Sequence, residues 1–153
     1  KQVQEALDNV RREAIVNNLE NWLANHTAFP GVKDRLKRFN SEGIELAVLT
    51  TKNAEFTAQL LNSLSIKSDL LYGYESGSKI NILIELSKSR KIKGFVEDRR
   101  ATLEKVGNHP ELISIPCFLA SWGYLKPNDS KNLPANISLL EPITFAQPLA
   151  NWN

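Results

Sequence analysis

The chain contains no methionine and only one cysteine among its 153 residues. A single cysteine, Cys117, cannot form an internal disulfide, so the composition indicates a reducing compartment, and we expect the protein to be cytoplasmic. Cys117 lies in a short apolar segment, where we expect a buried thiol rather than a nucleophile. Because an initiating methionine is missing, we also expect that Lys1 is not the natural start of the protein.

Long apolar runs and a strong net charge are missing as well. No run approaches the roughly 20 apolar residues of a membrane helix, and no apolar segment typical of a signal peptide follows the first residues. The net charge is only +2, and the basic segment 88–93 has the pattern of a solvated helix end. We therefore predict neither a membrane nor a nucleic acid as a partner. Neither His26 nor His109 has a second ligand residue at a spacing typical of metal sites, so we assign them no role.

The composition that remains, 42% hydrophobic and 24% charged, is that of a globular protein. Apolar residues at helical spacing predict one long amphipathic helix, or a pair of helices, from residue 3 to about 24, and a shorter helix over 32–39 that ends near Gly43. Apolar runs bounded by turn signals predict strands at 44–49, 69–72, 94–96, 112–115 (closed by Pro116) and 137–140. Further helices are predicted between these strands and after the last. This alternation predicts an α/β fold with a Rossmann-like, mostly parallel sheet and helices on both faces.

Polar residues stand where these strands end or a helix begins. Thr50 follows the first strand, Lys79 opens a helix, and Glu97 and Asp98 follow the third strand. Ligands of open α/β sheets bind at the carboxyl ends of the strands. A hydroxyl, an ammonium and carboxylates suit a phosphoryl group beside Mg²⁺, with Asp98 and Glu97 as oxygen ligands and helix N–H groups after Thr51 as a further anion site.

Each of these residues also has a purely structural interpretation. Thr50 would cap the helix that begins near Asn53, Lys79 would be an exposed first-turn lysine, and Glu97 and Asp98 would favour the start of the next helix. The order of the residues along the chain favours the functional interpretation.

Three segments in this order resemble motifs of the haloacid dehalogenase superfamily, in its phosphoglycolate-phosphatase type. They are Leu46-Ala47-Val48-Leu49-Thr50-Thr51-Lys52, Gly77-Ser78-Lys79-Ile80 and Phe95-Val96-Glu97-Asp98. The resemblance implies a Mg²⁺-dependent phosphatase that acts on a small phosphate ester. It implies catalytic roles for Thr50, Lys79 and Asp98, phosphate binding by Thr50, Thr51 and Lys79, and metal binding by Asp98 and Glu97. It also implies that residues 1–29 are the C-terminal part of a helical cap and 30–153 an α/β core.

The sequence departs from this family in two ways. Thr102 stands where many members have a second acid after Asp98, and no Asp-x-Asp occurs anywhere, although the family's first strand carries its nucleophile and acid/base in that motif. We therefore expect a core that lacks its first strand, with a gap between the strands ending at Thr50 and Asp98. A missing N-terminal segment would supply that strand as a partner, and the chain alone would be inactive.

Two alternatives remain beside the phosphatase. One is a catalytically inactive binding or scaffold module that kept the fold, which the absent Asp-x-Asp favours. The other is a phosphoacceptor receiver domain, which also uses an Asp, a Thr and a Lys on a parallel sheet. Its order along the chain is Asp, Thr, Lys, whereas here the order is Thr50, Lys79, Asp98, so we disfavour it.

Overall fold

A computed structural model describes residues 2–152, which form two compact units. The first unit runs to Gly77 and the second begins at Ser78. The predicted boundary between a cap and a core near residue 29 is a different division, and it remains a prediction. The helices are α1 Gln2–Ala24, α2 Val32–Arg38, α3 Ala54–Ser63, α4 Lys79–Ser87, α5 Arg100–Gly107 and α6 Pro142–Phe145; the strands are β1 Ala47–Leu49, β2 Leu70–Tyr72, β3 Phe95–Glu97, β4 Cys117–Ala120 and β5 Ile137–Leu140.

Helix α1 is a pair of helices joined at Asn18. The backbone of Asn18 leaves the helical region (φ −162°, ψ 87°), and its side-chain oxygen accepts the N–H of Asn21 at 3.0 Å. An Asn that accepts the N–H three residues later is a helix N-cap, so the second segment of α1 begins here. Of the two predictions for this segment, the helix pair is confirmed.

The first unit contains a fully buried arginine. Arg35 of α2 forms a two-pronged ion pair with Glu42, with N···O distances of 2.7 and 3.0 Å, and its guanidinium lies 4.2 Å from the centroid of the Phe39 ring. The chain then turns at Gly43, whose φ of +69° is the left-handed conformation that glycine adopts without strain. This confirms the predicted stop near Gly43.

Strands β1 and β2 form a two-stranded parallel sheet in the first unit, with Val48 opposite Leu71. Helix α3 connects the two strands and packs on β2 and α1, as expected of a βαβ unit. Strand β1 begins three residues later than predicted. The carbonyl of Leu46, just before it, accepts the N–H of Leu70 at 3.2 Å, but the N–H of Leu46 donates to the Asp69 carboxylate at 2.7 Å instead of to a backbone carbonyl.

The second unit is built on a three-stranded parallel sheet in the order β3-β4-β5. Helix α5 packs on all three strands. The core of the second unit consists of fully buried apolar side chains, each of which contributes roughly 1.5–3 kcal/mol to folding. The most buried are Leu103, Val106, Leu112, Leu119 and Leu140.

The predicted strand at 112–115 is wrong. These residues form successive turns, in which Leu112 N–H donates to His109 and Ile115 N–H donates to Leu112. The strand lies after Pro116 instead, as β4. Pro116 begins the pairing rather than closing it, because its carbonyl accepts the N–H of Phe95 at 2.8 Å.

Cys117 of β4 is buried, as predicted. Burial raises the pKa of its thiol to about 11, so the thiolate needed for nucleophilic chemistry is scarce at neutral pH.

The fold is therefore mixed α/β with parallel strands, compatible with the predicted Rossmann-like class. The strands are divided between two small sheets rather than joined in one. Among the helices of residues 2–152, none is long and apolar enough to cross a membrane.

Candidate functional site

Lys79 and Glu97 form an ion pair at the carboxyl end of β3. Ser78 caps α4 by accepting the N–H of Asn81 at 3.2 Å, which fixes Lys79 as the first residue of the helix. The Lys79 ammonium donates a hydrogen bond to Oε2 of Glu97. The sequence predicted one sheet edge for Thr50, Lys79, Glu97 and Asp98, and the structure describes this contact between two of them.

Both carboxylate oxygens of Glu97 have partners in the protein. Oε2 accepts the Lys79 ammonium, whereas Oε1 accepts the N–H of Asp98 at 3.0 Å and that of Arg99 at 3.3 Å. Such charge-assisted bonds to a buried carboxylate are strong and directional. Glu97 therefore fixes the turn after β3 and holds the Lys79 ammonium in place.

Asp98 is held by the turn that follows β4. Its Oδ2 accepts the backbone N–H of Tyr124 at 3.1 Å. A Cβ at position 123 would lie only 2.2 Å from the Cβ of Asp98, so this approach depends on Gly123. Sequence analysis did not identify Gly123, although its position after an apolar strand, in Trp122-Gly123-Tyr124, is a signal for a close backbone approach.

The surroundings of Asp98 favour its ionised form. Burial alone would raise its pKa, but hydrogen bonding with the Glu97 carboxyl group, with Tyr124 N–H and with its own N–H, together with the charge of Lys79, lowers the pKa below the ordinary value of 3.8. Asp98 is therefore a carboxylate at neutral pH. It is only partly buried, so one side of the group faces solvent.

Arg100, the first residue of α5, holds the polar loop that follows Tyr124. Its guanidinium donates to the carbonyl oxygens of Lys131 at 2.7 Å and Asn132 at 3.1 Å, and to Glu104 at 2.7 Å. These contacts anchor the loop to Arg100, which lies two residues after Asp98 in the chain. Sequence analysis missed this role because the partners are backbone carbonyls, which carry no sequence signal.

Thr50 and Thr51 lie in the loop after β1, in the first unit. The Thr50 oxygen accepts the N–H of Lys52 at 3.0 Å, which leaves its hydroxyl proton to be donated. The cap of α3 is Asn53, whose side chain accepts the N–H of Glu55 at 2.8 Å, so Thr50 is not the helix cap. Thr51 is exposed.

The start of α3 already holds an internal anion. The N–H of Ala54 donates to Oε1 of Glu75 at 3.0 Å, and a Cβ at Gly73 would lie 2.3 Å from the other Glu75 oxygen. The N–H groups predicted as a further anion site are therefore used in part by Glu75. Within one unit, the structure brings together Lys79, Glu97 and Asp98; Thr50 and Thr51 belong to the other unit.

The donor set limits how a metal would bind. Among residues 2–152, no group of three or more His, Cys, Asp or Glu side chains is placed to hold a metal ion. Mg²⁺ typically uses one or two carboxylates and completes its coordination with waters and substrate oxygens. Asp98 fits that use, whereas the oxygens of Glu97 are engaged by Lys79 and backbone N–H groups.

The two aromatic residues after β4 differ in their surroundings. Trp122 packs on Phe145 with ring centroids 4.8 Å apart, whereas Tyr124, whose N–H binds Asp98, is 84% exposed.

No protein-family model and no curated protein matches this sequence.

Proposed function

We propose that this chain is the phosphate-binding part of a Mg²⁺-dependent phosphatase of the haloacid dehalogenase type, which acts on a small phosphate ester. Lys79 binds the phosphoryl oxygens and neutralises their charge. Asp98 holds the metal ion, and Glu97 positions Lys79. Roles for Thr50 and Thr51 in phosphate binding, and for Glu97 as a metal ligand, remain predictions from the resemblance.

The observation that carries the proposal is the pairing of Lys79 with Glu97 beside an ionised Asp98. An ammonium has three N–H donors, and Glu97 accepts one of them, so donors remain for an anionic ligand. Because the Glu97 side chain is only 6% exposed and makes three hydrogen bonds, it fixes the direction of that ammonium. A fixed cation beside developing negative charge stabilises a transition state without reorganisation.

The metal would supply a Lewis acid that polarises the phosphoryl group. Asp98 is the residue of this site that fits it, as a partly exposed carboxylate whose pKa is lowered.

The free edge of β3 supports the predicted partner segment. In the part of the chain that the structure describes, β3 pairs with β4 and no other strand. Since Phe95 N–H bonds to Pro116 of the β4 side, the backbone groups of Val96 point to the opposite edge. The side chains on both faces of a parallel sheet are normally covered by other parts of the protein, yet the Val96 side chain is exposed. A further strand beside β3 would satisfy these groups and would end near Lys79.

The first test is phosphate binding by the full chain. Isothermal titration with inorganic phosphate in the presence of Mg²⁺ is expected to show binding that Lys79→Met weakens at least tenfold. Lys91→Met, which removes an exposed lysine of the same unit, is the matched control and should change little. Equal affinities for the two variants would contradict the proposal.

The second test concerns the missing strand. We expect no hydrolysis of p-nitrophenyl phosphate by this chain alone, because the family's nucleophile is absent. If the coding sequence upstream encodes an apolar strand followed by Asp-x-Asp, the extended protein should hydrolyse this ester with Mg²⁺, and Asp98→Asn should abolish the reaction. Turnover by the chain alone that is lost in Asp98→Asn would refute the claim that an essential part is missing.

The second candidate is a binding module without catalysis. The observation that favours it is the engagement of both Glu97 oxygens, which leaves one suitable carboxylate, Asp98, at the end of β3. Such a module would bind phosphate through Lys79 with an affinity independent of Mg²⁺. Repeating the titration with EDTA distinguishes the two candidates.

A further inference from the structure

A surface groove lies between α3 and β2 in the first unit. It is lined by Ala58, Leu61 and Asn62 of α3, by the turn 65–68 and by Leu71 of β2. Its volume of about 410 Å³ is within the range of roughly 300–1,000 Å³ that is typical of ligand sites. The groove is therefore large enough to receive side chains of a binding partner.

The backbone of Leu71 faces the free edge of β2. The N–H of Leu70 donates to the carbonyl of Leu46 at 3.2 Å, on the β1 side. The carbonyl of Tyr72 accepts the N–H of Thr50 at 2.9 Å, also on the β1 side. Because backbone groups alternate in direction along a strand, the N–H and carbonyl of Leu71 face away from β1. In the part of the chain that the structure describes, β2 pairs with no strand other than β1.

We propose that this groove binds an extended peptide segment of a partner protein, which adds as a strand to the edge of β2. Leu71 belongs to both features, since it lines the groove and presents its backbone groups at the edge. An added strand would pair with those groups, while its side chains enter the groove next to α3. This inference goes beyond the proposed function and does not depend on it.

The lining of the groove favours a peptide of particular composition. Leu61, Ile66 and Leu71 provide apolar surface for an aliphatic side chain. Among the described residues that line the groove, Lys67 alone carries a charge, and it is exposed. The carboxylate of Asp69, two residues later, already accepts the N–H of Leu46 at 2.7 Å. Since side chains alternate between the two sides of a strand, a segment in which aliphatic and acidic residues alternate fits both the groove and Lys67.

The test uses the fluorescein-labelled peptide Glu-Val-Glu-Val-Glu-Val-Glu and measures its fluorescence anisotropy with the full chain. We expect saturable binding, and weaker binding by the same peptide with lysine in place of each glutamate. Lys67→Met should weaken binding of the acidic peptide about twofold, as expected of one exposed ion pair. Lys37→Met, which removes an exposed lysine of α2, is the control and should change little.

N-methylated peptides test the pairing with the edge of β2. The amides of the valines and those of the glutamates face opposite edges of an extended peptide. If the peptide pairs with Leu71, methylation of one of these two sets should weaken binding by about tenfold, because hydrogen bonds are lost, and methylation of the other set should change it little. Equal affinities of the two methylated isomers would overturn the proposed strand addition.

Filling the groove provides a second test. Ala58→Leu adds a side chain to the lining and should weaken binding by about tenfold, since a pocket discriminates strongly against lost space. Ala101→Leu, the same change at an exposed alanine of α5, is the matched control. Because Ala58 is exposed and leucine is a good helix former, the variant is expected to fold, which urea denaturation checks.

The remaining outcomes contradict the proposal. Absence of saturable binding by the acidic peptide overturns it, as does binding that Ala58→Leu and Ala101→Leu change equally. Analytical ultracentrifugation of the native chain tests a second copy as the occupant. A dimer that Ala58→Leu abolishes would assign the groove to self-association and overturn the assignment to a partner peptide.

Discussion

The ion pair Arg35–Glu42 of the first unit and the ion pair Lys79–Glu97 of the second are arranged in opposite ways. In the first unit the buried partner is the cation, since the Arg35 side chain is 0% exposed and that of Glu42 is 24% exposed. In the second unit the buried partner is the acid, since the side chain of Glu97 is 6% exposed and that of Lys79 is 24% exposed. The partner nearer to solvent is the one that can meet a ligand.

The difference separates a structural pair from a candidate binding pair. The Arg35 guanidinium is enclosed by Glu42 and the Phe39 ring, so its charge is used within the fold. The Lys79 ammonium is held by the buried Glu97 carboxylate and retains N–H donors that can face solvent. Of these two pairs, only Lys79–Glu97 therefore presents its cation toward solvent, where an anion can reach it.

The largest effect is expected from breaking the structural pair. Glu42→Ala leaves the Arg35 charge buried without its partner, and we expect the free energy of unfolding to fall by about 3 kcal/mol. Urea denaturation measures this change. Glu85→Ala, which removes the acid of an exposed pair with Lys88, is the control and should leave the free energy of unfolding nearly unchanged. Similar losses in the two variants would show that burial does not distinguish these pairs.

The next effect concerns the backbone that holds Asp98. Gly123→Ala places a Cβ 2.2 Å from the Cβ of Asp98, so the strand ends must move apart. We expect the unfolding free energy to fall by about 2 kcal/mol, as is typical of overpacking. Phosphate affinity in Mg²⁺ should fall too, because Asp98 is displaced. A variant with native stability and affinity would show that the turn adapts freely.

A smaller loss of stability is expected for the candidate binding pair. Glu97→Gln retains the size of the side chain but cannot satisfy Lys79 and both backbone N–H groups with its single oxygen. Since Lys79 can turn to solvent, we expect a cost of only about 1.5 kcal/mol, below that of Glu42→Ala. Phosphate binding should weaken because the ammonium is no longer fixed. A cost larger than that of Glu42→Ala would reverse the comparison.

The smallest effect is a pH dependence from Asp98. Its pKa is lower in the folded protein than the ordinary value of 3.8, so the unfolded state binds the proton more readily. The resulting stabilisation is present above pH 3.8 and is lost as the pH falls through the folded-state pKa. Urea denaturation from pH 6 to pH 2.5 should therefore show the native chain losing its advantage over Asp98→Asn in the acid range. A constant difference between the two would contradict this.

The strands that could be predicted are those whose apolar runs have clear limits. The turn residues around β2 and β5 define them on both sides, so the pattern located them closely. The run from Leu112 to Ala120 is apolar nearly throughout, so its composition does not show where a strand begins. Pro116 was interpreted as the end of a strand, whereas in the structure β4 begins directly after it. Pro116 lacks an N–H, but its carbonyl pairs with Phe95, which the sequence pattern alone does not reveal.

The sequence could propose residues for the candidate site but not the contacts that those residues make. Strand ends and a helix start predicted one edge for Thr50, Lys79, Glu97 and Asp98, because backbone topology fixes where strands end. The structure describes Lys79, Glu97 and Asp98 in one unit and Thr50 in the other. Whether Glu97 faces a metal or a lysine depends on side-chain geometry, and here it bonds to Lys79. The same holds for Tyr124, whose exposure distinguishes it from Trp122 although both are aromatic residues of one turn.

The anchoring of the polar loop by Arg100 has a consequence for degradation. The loop between Lys126 and Pro134 offers lysines and a mostly exposed backbone, the features that proteases select in flexible loops. A protease must extend the segment that it cleaves, and the bonds from Arg100 to the carbonyls of Lys131 and Asn132 oppose that extension. We therefore expect Arg100→Ala to make the loop that follows Tyr124 more sensitive to limited trypsin digestion than it is in the native chain.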